Sequence, residues 1–405
     1  MLVNPLEINI AIIGAGVHAL TLYLHLLQKR KDIKDKVLAF DPSGIWMRQW
    51  NQQFAAQEIL HLRSPAVHHP VPNPFALRKF AENRPQELFL HYDLPGTNLF
   101  DDFCQDSISA NQISDRVIKA KVIDLDPIDS HCFQLSLDDG QLVKAKRVVL
   151  ATNSTVRQLP DWVSRIETVY PIDRLLHSNQ VDLREIQLAG ETILIVGGGL
   201  TSGHLAMGSI ERGAKVILMS RRELKAKYFD AEPGWLGPKY LKGFEAEPSW
   251  ENRRQMVISA RDGGSMTPSM LMQLQTANHH KKVSLRENCQ IQKAEWNDGK
   301  WQVYCEDGMK LECDRIWAAT GTRFDVMAEP LLSKAIDKFP IPVVGGFPVI
   351  DRHLRWSGRN LFLMGGLAAL QVGPTARNIS GARMASDRIV PVLAKSGVKH
   401  PITVP

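Results

Sequence analysis

Apolar residues form two short runs along the chain, and each run ends in a cluster of glycines. The first, IAIIGAGVHAL, occupies residues 10–20, and the second, ILIVGGGLTSGHLA, occupies residues 193–206. An unbroken apolar run of this length is typical of a buried parallel strand, and glycines directly after it are typical of a tight turn into a helix. The pattern therefore predicts a strand–turn–helix unit at both places.

A second sequence pattern follows each strand–turn–helix unit along the chain. Residues 117–152 contain short apolar alternations, an Asp139-Gly140 dipeptide and the run RVVLAT, and residues 283–321 contain the same series with Asp307-Gly308 and RIWAATG. Asp-Gly between alternating apolar positions predicts a β-hairpin. We therefore predict an α/β fold with two Rossmann-like dinucleotide-binding domains, each with a small β-meander.

The first glycine turn suits a dinucleotide. Its positions are Gly14, Ala15, Gly16 and Ala19. The first glycine permits the tight turn, the second lets a pyrophosphate approach the backbone, and the last alanine stands where a third glycine is usual. The helix that follows would direct its N-terminal N–H groups at phosphate. The next strand, residues 37–40, ends at Asp41, whose carboxylate can bind ribose hydroxyls.

The second turn differs at the end of its following strand. The turn residues are Gly197, Gly199, Thr201 and Ser202. The next strand, residues 216–219, ends in Ser220, Arg221 and Arg222 rather than in an acid. A carboxylate there would repel a 2′-phosphate, whereas arginine can bind one bidentately. The sequence thus predicts NADPH at this site, with two merely solvated arginines as the alternative.

Composition narrows the class of protein. The 405 residues suffice for two or three domains, and the 44% hydrophobic and 23% charged residues are ordinary for a globular protein. The net charge of +6 is spread among nearly as many acids as bases. With no arginine-rich arm or zinc-finger spacing, we expect no nucleic-acid partner and only mild steering of anionic ligands.

The five cysteines contain no CxxC pair. A dithiol relay and a clustered zinc site therefore both lack ligands, so we expect no metal, and the low cysteine density suits a reducing cytosol. Residues 8–27 are largely apolar, but Glu7 precedes them and Gly-Ala-Gly interrupts them, so a strand and helix explain them better than a signal peptide. We expect a cytoplasmic protein with no membrane partner. The sequence leaves open whether the protein forms a homo-oligomer.

These motifs resemble those of flavin-dependent two-dinucleotide oxidoreductases over nearly the whole chain. The similar segments are IAIIGAGVHAL, DPSGIW at 41–46, ILIVGGGLTSG, AATGTRFD at 318–325 and NLFLMGGLAALQVGPTARNISGAR at 360–383. The resemblance implies FAD at the first turn and NADPH at the second. It also implies further cofactor-binding residues, namely Trp46, Thr152, Thr320, Gly321, Gly365, Gly373 and Pro374.

The last segment resembles the closing FAD element of that family. A buried strand over residues 361–364 would lead to a helix beginning near Gly373-Pro374, with its N-terminus facing the pyrimidine edge of the flavin. The domain division follows from this resemblance and from the two copies. We expect a discontinuous FAD-binding domain over residues 1–185 and 316–405, and an NADPH-binding domain over residues 186–315.

One segment, LHLRSPAVHHPVPNPFAL at 60–77, is most similar to the N-hydroxylating enzymes that act on ornithine or lysine. The similarity implies that Arg63 lines the isoalloxazine pocket, although a structural salt bridge explains it equally well. The implied activity is N-hydroxylation of a small amine or amino acid with molecular oxygen, through a C4a-hydroperoxyflavin. The alternatives are an NADPH oxidoreductase, either a quinone or small-acceptor reductase or an oxidase, that does not oxygenate, and a flavin-binding sensor. No catalytic side chain can be identified.

Overall fold

The computed structural model describes residues 6–129, 132–152 and 155–395. The α-helices in these ranges are α1 (Val17–Lys29), α2 (Arg48–Ala56), α3 (Ala76–Phe80), α4 (Thr97–Ala110), α5 (Leu200–Glu211), α6 (Pro238–Ala246), α7 (Trp250–Arg261), α8 (Pro268–His279), α9 (Ser333–Lys338), α10 (Ala369–Val372) and α11 (Ile379–Leu393). In this part of the chain, no helix combines the length and the apolar character needed to cross a bilayer.

The strands form two large sheets and several small ones. They are β1 (Leu6–Ile13), β2 (Val37–Asp41), β3 (Leu88–Phe89), β4 (Leu94–Pro95), β5 (Val117–Lys119), β6 (Val122–Pro127), β7 (Phe133–Leu137), β8 (Leu142–Leu150), β9 (Val156–Arg157), β10 (Leu175–His177), β11 (Thr192–Val196), β12 (Lys215–Met219), β13 (Val283–Arg286), β14 (Ile291–Asn297), β15 (Lys300–Cys305), β16 (Lys310–Cys313), β17 (Arg315–Ala318), β18 (Thr322–Arg323), β19 (Val343–Val344), β20 (Phe347–Pro348) and β21 (Leu361–Leu363).

The first sheet is built on the first glycine unit. Strands β5, β2, β1 and β8 run parallel in that order, and β21 adds to β8 in parallel. The amino-terminal half of β8 continues into an antiparallel meander with β7 and β6. Residues 8–13 of β1 are all buried, as expected for a strand covered on both faces, and α1 packs against α11. The apolar run at 10–13 is thus a central strand.

The second sheet is built on the second glycine unit. It has five parallel strands in the order β10, β17, β11, β12, β13, and a separate antiparallel sheet contains β14, β15 and β16. The hairpins predicted at Asp139-Gly140 and Asp307-Gly308 are confirmed, since they join β7 to β8 and β15 to β16 with positive φ at both glycines. The predicted α/β class with two Rossmann-like units and two meanders is therefore confirmed.

The C-terminal segment returns to the first sheet, because β21 pairs with β8 and α11 packs on α1. The predicted domain boundaries themselves stay predictions, and residues 1–5 and 396–405 of the predicted FAD-binding domain lie outside the described residues. Two strands near these boundaries join the second sheet. They are β10, at residues 175–177, and β17, which spans the predicted boundary between 315 and 316.

The predicted helix start at Gly373-Pro374 is wrong. The chain instead completes the short helix α10, and the N–H of Gly373 donates to the carbonyl of Ala369 at 2.9 Å. Gly373 has φ +92°, a conformation that favours glycine, and it turns the chain away from the helix axis. The next helix, α11, begins only at Ile379 with Asn378 as its N-cap. The strand predicted over 361–364 is confirmed as β21.

Candidate functional site

The first glycine turn is fixed from two sides. The N–H of Gly14 donates to the carbonyl of Phe40 at 2.8 Å, and Gly14 has φ +100°. A Cβ on Gly14 would lie 3.1 Å from the carbonyl oxygen of Ala151 at the end of β8. Only glycine therefore fits here, because both the backbone angle and the neighbouring strand exclude a side chain.

Gly16 differs from Gly14 because its space is open. It is the N-cap of α1, no side chain caps that helix end, and a Cβ on Gly16 would meet no atom within 4 Å. The first N–H groups of the 13-residue helix are thus available to an anion, in the arrangement that binds a pyrophosphate. Ala19, in the predicted third-glycine position, is completely buried, so it packs the helix on the sheet.

Asp41 lies at the turn, as its position after β2 predicts. Its Oδ2 accepts from the N–H of Ala15 at 3.2 Å, and its Oδ1 accepts from the N–H of Ser43 at 2.9 Å and from the Ser43 hydroxyl at 2.6 Å. A carboxylate offers about four acceptor positions. The bonds hold Asp41 in place and leave capacity for a ribose hydroxyl.

Trp46 lies in the core beside the first glycine turn, and its cofactor contact stays a prediction. The indole is only 2% exposed, its N–H donates to the carbonyl of Ile113 at 2.9 Å, and its ring meets Tyr23 edge-on with centroids 5.5 Å apart. An indole has a single N–H donor, and here that donor is used within the protein. Trp46 therefore packs the core next to the turn.

The second glycine turn has the same construction. Gly197 has φ +147°, its N–H donates to the carbonyl of Met219 at 2.8 Å, and a Cβ there would overlap the carbonyl oxygen of Ala319. Gly199 is the N-cap of α5 and carries no side-chain cap. Thr201 lies half-buried in the first turn of that helix, and the buried Ser202 hydroxyl donates to the carbonyl of Gly199 at 2.6 Å.

The two predicted NADPH arginines have different surroundings. Arg221 is exposed, and among the described residues it has no hydrogen bond or ion pair. Arg222 donates to the carbonyl of Asp262 at 2.8 Å, and its Nη1 lies 3.6 Å from the Asp262 carboxylate. Lys225 and Lys227 contact the same carboxylate at 2.7 and 3.4 Å. The fold thus brings an acid to the strand end where the local sequence has none.

We expect Asp262→Asn to strengthen NADP⁺ binding by about threefold to tenfold and NAD⁺ binding less. The substitution would free both lysines for a 2′-phosphate and would remove a repelling charge, while Arg222 would keep its bond to the backbone carbonyl and exposure keeps the effect modest. Titration calorimetry with both nucleotides measures the change. Asp298→Asn is the matched control, since Asp298 is an exposed acid with positive φ in another turn. Weaker NADP⁺ binding by Asp262→Asn would contradict the interpretation.

The remaining predicted cofactor residues fall into two groups. Thr152 and Gly365 lie at the same sheet edge as Gly14. A Cβ on Gly14 would be 3.5 Å from the backbone nitrogen of Thr152, and a Cβ on Gly365 would be 4.0 Å from the backbone oxygen of Thr152. Thr320 and Gly321 lie in the connection between the sheets. There the Thr320 hydroxyl donates to the carbonyl of Gln158, and the carbonyl of Gly321 accepts from the N–H of Gln158 at 3.0 Å.

Arg63 is held in place by contacts within the protein. All five of its N–H groups donate within the protein. One donates to the Asp230 carboxylate at 2.7 Å, and the others donate to the carbonyls of Tyr228, Lys227 and Ser265 and to the Ser265 hydroxyl. A guanidinium has no further donor. The structure contains the alternative, a structural salt bridge, and the flavin contact of Arg63 stays a prediction.

This salt bridge belongs to a cluster that the sequence analysis missed. Asp230 also accepts from Arg261 at 3.2 Å, and Arg261 donates to the carbonyl of Pro374 at 3.0 Å. Arg377, in the GPTARN segment at residues 373–378, is exposed and has no hydrogen bond or ion pair among the described residues. Desolvation by the surrounding protein and the charge of Arg261 lower its pKa to about 10, against the opposite effect of Asp230. Arg377 therefore lies within electrostatic reach of Arg261 and Asp230. The single carboxylate of Asp230 thus interacts with the charges of three guanidiniums, those of Arg63, Arg261 and Arg377.

A cavity of about 280 Å³ lies next to this cluster. It separates residues 57–63 from helices α5 and α8, and Gln57, Arg63, Leu200, His204 and Ser269 contribute to its walls. Leu200 is the first residue of α5, so the cavity reaches the second glycine turn. Its volume is close to the lower end of the range of small-molecule sites, about 300 Å³.

Two further polar residues of the site were missed. His18, in the first turn of α1, has its Nε2 3.1 Å from the carbonyl oxygen of Ala376, and burial lowers its pKa. The ring thus ties the first helix to the GPTARN segment. His204 lines the cavity on α5. In the sequence, these residues were marked only by their positions in the glycine motifs, His18 in the first motif and His204 in the second.

The buried histidines make stability depend on pH. Burial, followed by the charge of Arg383, lowers the pKa of the completely buried His69 to about 4, and burial followed by His61 does the same for His204. The folded state keeps these rings neutral, whereas the unfolded chain protonates them near pH 6.5. The folded state binds fewer protons in this window, so the free energy of unfolding falls as the pH drops from 6.5 toward 4.

We expect thermal melts to show this loss, at about 1.4 kcal/mol per pH unit and per ring. His69→Gln keeps a donor for the carbonyl of Pro74, 3.3 Å from the ring, and removes one titrating group. Its melting temperature should therefore depend less on pH than that of the wild type. Equal slopes in the two proteins would contradict the assignment of His69 as a neutral buried ring.

Comparisons with known proteins agree with this geometry. Residues 11–155 match the family model described as FAD-NAD(P)-binding, and no curated protein matches the sequence. Among solved structures, the ornithine hydroxylase of Pseudomonas aeruginosa is 14% identical with a TM-score of 0.75, covering 96% of this chain and 99% of its own. The ornithine N-hydroxylase of Kutzneria sp. 744 is 15% identical with a TM-score of 0.78, at the same coverages.

A third similar structure is the bacillithiol disulfide reductase of Staphylococcus aureus, which is 14% identical with a TM-score of 0.62 and covers 96% of this chain and 98% of its own. At these identities the likeness establishes the fold. The chain therefore has the two-dinucleotide-binding flavoprotein fold that these N-hydroxylases and disulfide reductases share, with residues 11–155 as a FAD-NAD(P)-binding segment.

Proposed function

We propose that the protein is a FAD- and NADPH-dependent monooxygenase that hydroxylates the nitrogen of a small amine or amino acid. The observation that carries the proposal is the pair of uncapped glycine turns, at Gly16 and Gly199, within a fold shared over nearly its whole length with ornithine hydroxylases. Each turn can bind one dinucleotide, and a reaction that uses both FAD and NADPH needs two such sites.

The residues fit each cofactor. The open space at Gly16, the free N–H groups of α1 and the fixed carboxylate of Asp41 suit the diphosphate and ribose of FAD. The N-terminus of α5 and the exposed Arg221 suit the diphosphate and 2′-phosphate of NADPH. When bound, the flavin would accept a hydride from NADPH and react with oxygen. The protein contributes binding, orientation and exclusion of water.

The substrate would carry an anionic group beside its amine. Arg63 and Arg261 share the single carboxylate of Asp230, which leaves Arg377 without an ionic partner of its own. An unpaired guanidinium can bind a carboxylate bidentately and repels a second ammonium. Among amines such as ornithine, lysine and cadaverine, the cluster favours the two amino acids.

The proposal is tested by measuring whether NADPH consumption is coupled to hydroxylation of the amine. Purified protein containing FAD is mixed with NADPH, oxygen and each of these three amines, and NADPH consumption is compared with hydroxylated product by mass spectrometry. We expect product equivalent to the NADPH consumed for one of the amino acids, and less for cadaverine. Consumption of NADPH with no hydroxylated product for any amine would overturn the proposal.

The second candidate is an NADPH oxidoreductase that does not oxygenate. It is favoured by the contacts of Arg63, because the segment most similar to N-hydroxylases uses all N–H donors of that residue within the protein. The fold is also shared with a disulfide reductase. The same assay separates the two, since this candidate reduces an artificial acceptor at the expense of NADPH without an oxygenated product.

A further inference from the structure

Three potential metal ligands meet at one end of the small antiparallel sheet. The thiols of Cys289 and Cys305 and a carboxylate oxygen of Asp307 all lie within 4.8 Å of one another, and the Cys289 Sγ is 4.0 Å from the Asp307 Oδ2. Both cysteines are buried and Asp307 is exposed. We propose that these three residues bind a thiophilic divalent cation such as Zn²⁺, with water in the fourth position.

The strand register explains why these side chains converge. Ile291 pairs with Cys305, and the N–H of Glu306 donates to the carbonyl of Gln290 at 3.0 Å. Continued by one residue, this register places Cys289 opposite Asp307, with Cys305 on the diagonal. Diagonal Cα atoms are about 7–8 Å apart. A disulfide needs Cα atoms within about 6.8 Å, so the arrangement favours a shared ion over an S–S bond.

The donor set matches this class of metal. Thiolate sulfur is a soft ligand that selects Zn²⁺ over Mg²⁺ or Ca²⁺, and three protein ligands with one water is a known tetrahedral arrangement for zinc. The second oxygen of Asp307 accepts from the N–H of Met309 at 3.0 Å. This hydrogen bond orients the carboxylate and leaves Oδ2 directed at Cys289, as outer partners of metal ligands do.

The site adjoins the segment that carries Arg221 and Arg222. The N–H of Cys289 donates to the carbonyl of Ser220 at 3.1 Å, and the N–H of Ser220 donates to the carbonyl of Arg286 at 2.8 Å. A bound ion would thus tie the turn between β15 and β16 to the end of β12. None of the three ligands lines the cavity, so the role is structural.

The experiment is a Co²⁺ titration of the full-length protein, kept reduced under anaerobic conditions. We expect one equivalent to bind, with thiolate-to-cobalt charge-transfer absorption in the difference spectrum and visible bands at wavelengths longer than those of flavin. Zn²⁺ should displace the Co²⁺. Cys289→Ser, Cys305→Ser and Asp307→Asn should each weaken Co²⁺ binding at least about tenfold.

Cys313→Ser is the matched control, because Cys313 is a buried cysteine of the same small sheet outside the cluster. It should bind Co²⁺ like the wild type. Asp307→Asn changes an exposed side chain, so it tests the site even if a buried cysteine variant does not fold. No thiolate absorption in the wild type, or wild-type binding by Asp307→Asn, would overturn the proposal.

Discussion

Gly16→Val is expected to abolish FAD binding while the apoprotein stays folded. Gly16 has φ −79° and ψ −172°, an extended conformation that valine adopts readily, and a Cβ there meets no protein atom within 4 Å. The isopropyl group would instead fill the space in which a pyrophosphate approaches the first N–H groups of α1. We expect the affinity for FAD to fall at least about 100-fold, equivalent to about 2.7 kcal/mol.

Flavin fluorescence titration of the apoprotein measures the affinity, and thermal melting of the apoprotein measures the fold. Loss of the glycine N-cap should cost at most about 1 kcal/mol of stability. Gly140→Ala is the control for the general cost of replacing a glycine, since Gly140 lies in an exposed turn with φ +86° and open space around it. Wild-type flavin affinity in Gly16→Val would show that no diphosphate lies at this turn.

Gly14→Ala would not make this distinction. Its Cβ would lie 3.1 Å from the Ala151 oxygen at φ +100°, so the substitution should destabilise the fold as well as disturb the cofactor site. The comparison separates the two glycines by physical role. Gly14 is required by the protein itself, whereas Gly16 is required only by a ligand.

Arg377→Met is expected to lower kcat/KM for an amino acid substrate by about 100-fold, equivalent to about 2.7 kcal/mol. Arg377 is the guanidinium of the cluster without an ionic partner, whereas Asp230 binds Arg63 and Arg261. Methionine keeps much of the side-chain length and removes the charge. The loss should therefore appear mainly in KM, while turnover of cadaverine should stay equal or increase because a repelling charge is gone.

Steady-state kinetics with both kinds of amine give this comparison. Arg377→Lys should restore part of the affinity, since it keeps a charge but not two parallel donors. Arg352→Met is the matched control, because Arg352 is an exposed arginine near the C-terminal strand whose Nε donates to the Nε2 of His353 at 3.2 Å. An equal effect of Arg377→Met on both amines would mean that the residue does not bind the carboxylate.

The pattern of the sequence predicted the elements that depend on local interactions. Buried strands, glycine turns and Asp-Gly hairpins are specified by neighbours within about ten residues, and β1, β11 and the two hairpins formed where expected. Asp41 was predicted for the same reason, since the carboxyl ends of adjacent parallel strands meet at one sheet edge. The helix start at Gly373 was missed because a glycine with positive φ ends a helix as readily as it precedes one.

The sequence by itself thus determined the two dinucleotide units, because periodicity and glycine positions act over short distances. Only the tertiary structure decided which charges meet. Arg63 joins Asp230 across 167 residues, Arg222 joins Asp262 across 40, and Cys289 faces Asp307 through a strand register. Side-chain partners depend on how the sheets pack together, and no local pattern specifies that. The fold could therefore be predicted from motifs, whereas the charge of the cleft could not.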